Sequence, residues 1–337
     1  MTIVGNGHTV SGAGESTVFN VTGDGVTIKD ITITDGKGEN GGAIVWSGND
    51  GTLEDAVLAN NSATNGGAIA WTGDGATIKD SEFVDNTATN EGGAVLITGD
   101  GATVENTDFT GNDAKTGAGI ASTGDDLTVK DSTFTDNKAD TGAGISSTGN
   151  GATVENTDFT GNDAKEGAGI ASTGNGLTVK DSNFTDNSAT TGAGISSSGS
   201  GATVTGSEFT GNNATTGAGI SSTGSDLNVE DSKFTDNTAT TGAGVVSEGS
   251  GATISGSDFT GNEAQTGAGV VLKGDDAKVE DSNFTGNKAE TGAGVVSDGK
   301  GTTITGSEFT GNDATTGAGV VSNGDDTTIT GTEFTGN

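Results

Sequence analysis

The chain has 337 residues and a composition that argues against an ordinary enzyme domain. It contains 63 glycines, no proline, cysteine or tyrosine, and only 4% aromatic residues, which are too few bulky side chains for a conventional globular core. The 47 acidic and 13 basic side chains give a net charge of −34, and because phosphate contacts need clustered cations, we expect no nucleic-acid partner. No run of about 18 apolar residues occurs, so we also expect no membrane insertion.

Residues 1–27 are predicted to form an irregular first coil and residues 28–337 a series of regular rungs, all in a single domain. From Phe109 to Phe334 a phenylalanine recurs at one fixed interval, a regularity that a disordered acidic chain does not need. The intervening stretches are short and rich in Thr, Val and Ile. They alternate apolar with polar residues and end at Gly, Asn or Asp, which is typical of strands and turns.

Several other positions of the repeat also hold the same kind of residue at this spacing, and we call each set of equivalent residues a column. Three short strands per repeat cannot bury their own apolar face, whereas repeats stacked in register can. The sequence therefore predicts an all-β fold, a parallel β-helix (solenoid) of about 13 rungs with 25 residues and three short strands in each rung. The predicted structural residues are members of the phenylalanine and asparagine columns: Phe109, Phe134, Phe159, Asn112, Asn137 and Asn162.

Two patterns support stacking in register. One column alternates lysine with glutamate from rung to rung, beginning Lys29, Glu54, Lys79. Opposite charges on paired strands stabilise each other and like charges repel, so this order fits a parallel stack. The asparagine column fits as well, because a buried amide can bond to turn backbone and to its copies in the next rungs.

The motif "FTGN" followed by "GAGI" or "GGAI" resembles the FxxN and GGA[ILV] repeats of polymorphic outer membrane protein-like and archaeal adhesin-like proteins. The likeness covers Ile33 to Asn337, and the opening "IVGNGHTVSG" is similar to the first coil of right-handed β-helices of the pectate-lyase-like class. The resemblance implies a right-handed β-helix at the cell surface or outside the cell. It also implies a role as a passenger or stalk.

Aspartates at the corners of the rungs are weak candidates for calcium ligands, since calcium prefers carboxylate oxygens. No cofactor is otherwise expected, and the plain alternative is that these residues are solubilising turn residues. The single histidine, His8, has no partner suited to catalysis in the sequence. The candidate metal ligands are Asp30, Asp55, Asp80, Asp125 and Asp126.

Two columns are candidates for interaction surfaces. The threonine that follows each phenylalanine should face outward, which opens the alternative of an ice-binding protein with a threonine ladder. Four valines near the C-terminus each follow the Ile or Val that ends the "GAGI" or "GAGV" motif. Because that residue should face inward and side chains alternate, the valines should form an outward docking stripe, although strand propensity explains them as well. The candidates are Thr110, Thr135, Thr160, Thr185, Val246, Val271, Val296 and Val321.

Trp46 and Trp71 are separated by one repeat length and should stack. Their stack either seals the interior or offers a platform for a sugar ring.

The main functional prediction is a non-enzymatic structural or adhesive surface protein, an acidic rigid rod. The last rung is as regular as those before it, so either the chain is a segment of a longer protein or it self-associates, end to end into a fibre or laterally. We also expect a cell-surface or glycan ligand. A carbohydrate-active β-helix enzyme is the less favoured alternative, because the loops barely change length and the chain has no arginine or tyrosine.

Overall fold

The computed structural model describes residues 1–337, which divide into two compact units, Met1–Gly174 and Asn175–Asn337. Each unit consists of parallel strands joined by turns and contains no helix, so the chain has no helix that could cross a membrane. In both units a strand pairs with its counterpart one repeat further along the chain. We call each turn of the coil a rung and its three sides, in chain order, face 1, face 2 and face 3.

In the first unit, face 1 carries one long strand in each of the first three rungs and two short strands in each later rung. Face 2 has short strands only in the early rungs, and face 3 has one strand per rung. The face 1 strands are Thr2–Ser11, Thr27–Thr34, Thr52–Ala59, Thr77–Lys79, Glu82–Val84, Thr103–Glu105, Asp108–Thr110, Thr128–Lys130, Thr133–Thr135, Thr153–Glu155 and Asp158–Thr160. The face 2 strands are Lys37–Asn40, Ser62–Asn65 and Thr87–Glu91, and the face 3 strands are Phe19–Val21, Ile44–Trp46, Ile69–Trp71, Val95–Ile97, Ile120–Ser122, Ile145–Ser147 and Ile170–Ser172.

The second unit repeats this plan. The face 1 strands are Thr178–Lys180, Asn183–Thr185, Thr203–Thr205, Glu208–Thr210, Asn228–Glu230, Lys233–Thr235, Thr253–Ser255, Asp258–Thr260, Lys278–Glu280, Asn283–Thr285, Thr303–Thr305, Glu308–Thr310, Thr328–Thr330 and Glu333–Thr335. Face 2 has the strands Glu263–Thr266, Lys288–Thr291 and Asp313–Thr316. Face 3 has the strands Ile195–Ser197, Ile220–Ser222, Val245–Ser247, Val270–Leu272, Val295–Ser297 and Val320–Ser322.

The predicted phenylalanine column forms the centre of the core. In the first unit Phe109 and Phe134 are fully buried, and their rings stack with centroids 4.7 Å apart. In the second unit the rings of Phe209 and Phe234 stack at the same separation. The spacing of paired strands sets this distance, so each ring covers the next and excludes water.

The asparagine column is buried and satisfies backbone groups at a corner, as predicted. Nδ2 of Asn112 donates to the carbonyl oxygen of Phe83 at 3.0 Å and to Oδ1 of Asn137 at 3.0 Å. The same Oδ1 accepts a bond from the backbone N–H of Asn112. Because each amide joins consecutive rungs, the column fixes their register.

The alternating charge column also pairs as predicted. Glu54 lies opposite Lys79, with Nζ to Oε1 at 3.1 Å, and the next pair, Lys130 and Glu155, is separated by 3.3 Å. The hydrogen bond to Glu54 raises the pKa of Lys79 above its ordinary value. These pairs are solvent-accessible, so they favour the correct register while adding little stability.

At the corner before face 3, only glycine fits, because neighbouring atoms leave no room for a Cβ. Gly269 is buried, and a Cβ there would overlap the carbonyl oxygen of Gly294 and lie 2.7 Å from Cδ1 of Phe284. Ala43 has the equivalent place in an early rung, but there the preceding residue is Gly42, and the backbone N–H groups of Ala43 and Ile44 both donate to one carbonyl. The corner thus has two backbone paths, each with its own glycine position.

We expect Gly269→Ala to lower the free energy of unfolding by about 1–3 kcal/mol, because the methyl group overpacks a filled corner. Gly286→Ala is the matched control. Gly286 has a φ of +62°, and a Cβ added there would have nothing within 4 Å, so its substitution should cost only the left-handed conformation, about 1 kcal/mol. Urea denaturation followed by circular dichroism compares the two, and an equal or smaller effect at Gly269 would contradict the packing argument.

Candidate functional site

Face 2 forms a shallow trough whose floor is a column of alanines. Along the first unit the floor is Ala88, Ala114, Ala139 and Ala164, of which Ala88, Ala114 and Ala164 are buried and Ala139 is half-buried. The residues before and after each alanine point outward, because side chains alternate along an extended segment. They make two walls, so the trough is built from the rungs themselves without long loops.

In the first unit the walls carry charges of both signs. Lys165 Nζ lies 2.7 Å from Asp140 Oδ1, and Lys138 lies 3.9 Å from Asp163. The hydrogen bond from Lys165, helped by the charge of Lys115, holds the pKa of Asp140 below its ordinary value. A depression of ≈ 460 Å³ opens here, from Thr87 to Asp140. Its carboxylates are largely neutralised by their own lysines.

In the second unit the walls are uncharged over three rungs. They carry hydroxyl groups and one amide: Ser188, Thr190, Asn213, Thr215, Thr238 and Thr240. The floor of the trough in this unit is Ala189, Ala214, Ala239, Ala264 and Ala289. In a molecule of net charge −34, an uncharged strip of this length is a distinct surface.

At the end of this strip, carboxylates appear on both walls. A depression of ≈ 330 Å³ is lined by Thr238, Ala239, Glu263, Ala264, Gln265, Lys288, Ala289 and Glu290. The pairing of Ala264 with Ala289 places Glu263 on one wall and Glu290 on the other, one rung apart. Both glutamates are exposed, and Lys288 is the register partner of Glu263.

The sequence predicts neither Glu263 nor Glu290 as a site residue. The alanine column is visible there as a repeat position, but its small side chains suggest only packing. The signal that could have identified the trough is the pair of polar residues that flank each alanine, together with the change from charged to uncharged walls. Glu263 and Glu290 are the only acidic wall residues between Ser188 and Glu290.

The predicted calcium ligands lie at turns. Asp30, Asp55, Asp80 and Asp126 have φ values of 52°, 48°, 51° and 59°, a left-handed conformation that aspartate tolerates. Oδ1 of Asp125 accepts the backbone N–H of Asn150 at 2.7 Å. The structure contains no group of three or more His, Asp or Glu side chains placed to hold a metal ion. Calcium binding at these residues stays a prediction.

The predicted valine stripe is wrong, because these side chains are buried. Val246, Val271 and Val296 are at most 2% exposed, pack as one cluster, and have half-buried Val321 beside them. The reason is the glycine four residues earlier: a Cβ at Gly242 would overlap Cγ2 of Val246. The backbone of the corner therefore covers the outer side of face 3. The alternation of side chains along the strand, taken alone, predicts that this side is exposed to solvent.

The threonine column lies on the outer side of face 1, exposed or half-exposed, at Thr110, Thr135, Thr160 and Thr185. Its members pair in register, as between Thr110 and Thr135. No ligand role is shown for it, and that role stays a prediction.

Trp46 and Trp71 are fully buried and stack at 4.1 Å, which confirms the interior stack and excludes a sugar platform. His8 is exposed, with Nδ1 2.9 Å from the carbonyl oxygen of Gly5.

The sequence matches the family described as "Right handed beta helix region" over residues 16–184 and 166–334. No curated protein sequence matches the chain. Among solved structures, the chain is similar to the A-module of mannuronan C-5 epimerase AlgE6 from Azotobacter vinelandii, with 10% identity, a TM-score of 0.52, and coverage of 93% of this chain and 91% of the other. It is also similar to the catalytic unit of the thermostable GH87 α-1,3-glucanase from Streptomyces thermodiastaticus strain HF3-3, with 15% identity, a TM-score of 0.44, and coverage of 97% and 63%.

The similarity to the epimerase module contradicts the prediction of a non-enzymatic structural or adhesive rod, and with it the prediction that the protein is not an enzyme. The similar epimerase module is a carbohydrate-active enzyme on the same fold. The prediction assumed that a cleft on a β-helix needs long irregular loops, whereas face 2 forms a trough from regular rungs.

The fold prediction is confirmed as an all-β, right-handed parallel β-helix of about 13 turns. The matched residues make up almost the whole chain. The chain therefore belongs to the right-handed β-helix family.

Proposed function

We propose that the protein is a carbohydrate-active enzyme that binds a neutral polysaccharide along the trough of the second unit and hydrolyses it between Glu263 and Glu290. The observation that carries the proposal is the depression that both glutamates line, one on each side of an alanine floor. That the substrate is a polysaccharide is inferred from the mannuronan epimerase module of the same fold, and that it is neutral is inferred from the charge of this chain. The site follows from the trough itself.

The spacing of the carboxylates suits hydrolysis. Glu263 and Glu290 are two residues apart along the strand direction and one rung apart across it, which places their Cα atoms about 8 Å apart. Inverting glycosidases hold the carboxyl groups of their acid and base roughly 6.5–9.5 Å apart, with room for a water molecule, and two glutamates with this Cα separation on one surface can bring their carboxyl groups to such a distance. One glutamate would protonate the glycosidic oxygen, and the other would activate water on the opposite side of the sugar ring.

The charge of the molecule favours a neutral substrate. With a net charge of −34, the protein repels a polymer that carries a carboxylate on each sugar. The walls from Ser188 to Thr240 offer hydroxyl and amide groups that can bond to sugar hydroxyls. The alanine floor lets the apolar face of a sugar ring approach closely.

Release of reducing ends tests the proposal, with soluble neutral glucans, mannans and xylans beside polyuronates. We expect release from at least one neutral polymer and none from the polyuronates. Glu263→Gln and Glu290→Gln should each reduce the rate by about 100-fold or more, since general acid–base catalysis contributes at least that factor. The matched control is Glu308→Gln, an exposed glutamate on face 1, which should leave the rate unchanged.

Two outcomes would overturn the proposal. One is the absence of reducing ends from every neutral polymer. The other is an equal loss of rate in all three variants, which would place the activity outside the trough. Binding without cleavage, measured by retardation in polysaccharide-containing gels, would keep the trough as a binding surface but remove the catalytic role of the two glutamates.

We also propose that the repeats belong with polymorphic outer membrane protein-like and archaeal adhesin-like repeats, and that the protein works outside the cell or at its surface. The FxxN and GAG[IV] residues support this, because both motifs have structural roles here, as the ring stack and amide ladder and as the corner. Protease accessibility on intact cells that produce the protein tests the location. Self-association stays a prediction.

A further inference from the structure

A column of buried serines on face 3 points into the interior of the first unit. Ser122, Ser147 and Ser172 are 2%, 1% and 3% exposed. No protein group bonds to the hydroxyl of any of them. A buried hydroxyl without a partner is unfavourable, so its environment needs an explanation.

In the three rungs from Trp46 to Ile97 this column holds large side chains, and each precedes a small residue by five positions. Trp46 faces Gly51, where a Cβ would lie only 2.5 Å from Nε1 of Trp46. Ile97 likewise precedes Ala102, and in the rung of Ser122 the large partner is Leu127. In each of these rungs one member of the pair fills the space.

The rung of Ser147 has no large member. Its partner five residues later is Ala152, which is 3% exposed, so both side chains are small and both are buried. This pair contributes less side-chain volume than the pairs of the adjoining rungs, Ser122 with Leu127 and Ser172 with Leu177, in an interior that is otherwise closely packed.

The second unit shows which chemical group fits opposite a serine of this column. Ser297 and Ser322 also precede their partners by five residues, but the partners are Thr302 and Thr327. The two hydroxyl oxygens of each pair lie 2.6 Å apart. A hydroxyl-sized polar group beside Ala152 would therefore be within hydrogen-bond distance of Ser147.

We propose that Ser147 and Ala152 frame an internal water-binding site. Because successive rungs are about 4.8 Å apart, a water that lies between two rungs can bond to Ser147 and to either Ser122 or Ser172. A buried water needs a polar site with two to four partners, and two serine hydroxyls beside one alanine meet that requirement. The proposal is independent of the enzymatic role of the trough.

A high-resolution crystal structure of the full chain, with a second crystal pressurised with xenon, tests the site. We expect a water within hydrogen-bond distance of Ser147 Oγ and no xenon beside Ala152. Xenon at that place, or no density there, would overturn the proposal, since a dry apolar cavity takes up xenon.

The variant Ala152→Thr gives a second test. Its hydroxyl should replace the water and bond to Ser147, as Thr302 bonds to Ser297, so its thermal midpoint should equal or exceed that of the unmodified chain. The matched control is Ala102→Thr, beside Ile97, where no space remains and the midpoint should fall. Equal losses in both variants would overturn the proposal, because they would show that the Ser147 rung is already filled by protein.

Discussion

Asn262→Ala is expected to lower the free energy of unfolding by about 4 kcal/mol or more, since each buried polar group left without a partner costs roughly 1–3 kcal/mol. Nδ2 of Asn262 donates to the carbonyl oxygen of Phe234 at 2.8 Å and to Oδ1 of Asn287 at 3.0 Å. Its Oδ1 accepts bonds from the backbone N–H and the side-chain amide of Asn237, both at 3.0 Å. Alanine removes all four bonds and leaves their partners buried.

Asn283→Ala is the matched control for this prediction. Asn283 is exposed, lies in a strand of the same unit, and donates one side-chain bond, to Oδ1 of Asp258 at 2.8 Å. Because water can replace that bond, we expect a loss of less than about 0.5 kcal/mol. Urea denaturation followed by far-UV circular dichroism measures both variants. Similar losses would show that the buried ladder is no more important than a surface bond.

The sequence predicts the core of this protein well because each core position repeats. A phenylalanine such as Phe134 needs only its copies in the next rungs to be buried, so the constant repeat length determines both the neighbours and the register. The same reasoning identifies the asparagine ladder and the charge column. In a parallel stack, contacts between copies are the main contacts, and periodicity shows them directly.

Predictions that depended on the path of a corner were less successful. Val246 follows an inward-facing residue, so the alternation of side chains along the strand predicts that it is exposed to solvent. The backbone of the corner at Gly242 covers it instead, and Val246 is buried. The sequence shows that Gly242 is a turn residue without showing on which side of the strand the turn lies. The packing of neighbouring rungs determines on which side of the strand such a left-handed corner lies.

The candidate site could not be predicted for a related reason. Glu263 precedes the floor alanine of its rung and Glu290 follows the floor alanine of the next, so no column contains both. They meet only because adjacent rungs stack Ala264 on Ala289. A search along columns finds residues that share a role. The acid and the base proposed here have different roles, and they belong to different columns.

Phe259→Ala is expected to lower the free energy of unfolding by about 3–5 kcal/mol, the range for removing a buried aromatic ring. Phe259 is fully buried and stacks between Phe234 and Phe284 with centroids at 4.7 and 4.8 Å. Gly244 borders the same ring, since a Cβ added there would lie 2.7 Å from Cδ1, and the neighbouring rings are held by their own strands. The space left by the ring therefore cannot close.

Phe259→Leu should cost only about 1–2 kcal/mol, because most of the buried volume remains. The chain already shows that leucine fits this column, since Leu58 is fully buried opposite Phe83. Far-UV circular dichroism in urea is the suitable measurement, because Trp46 and Trp71 both lie in the first unit and their fluorescence would report on that unit. If leucine were as damaging as alanine, stacking between rings would outweigh the filling of space as the source of stability in this column.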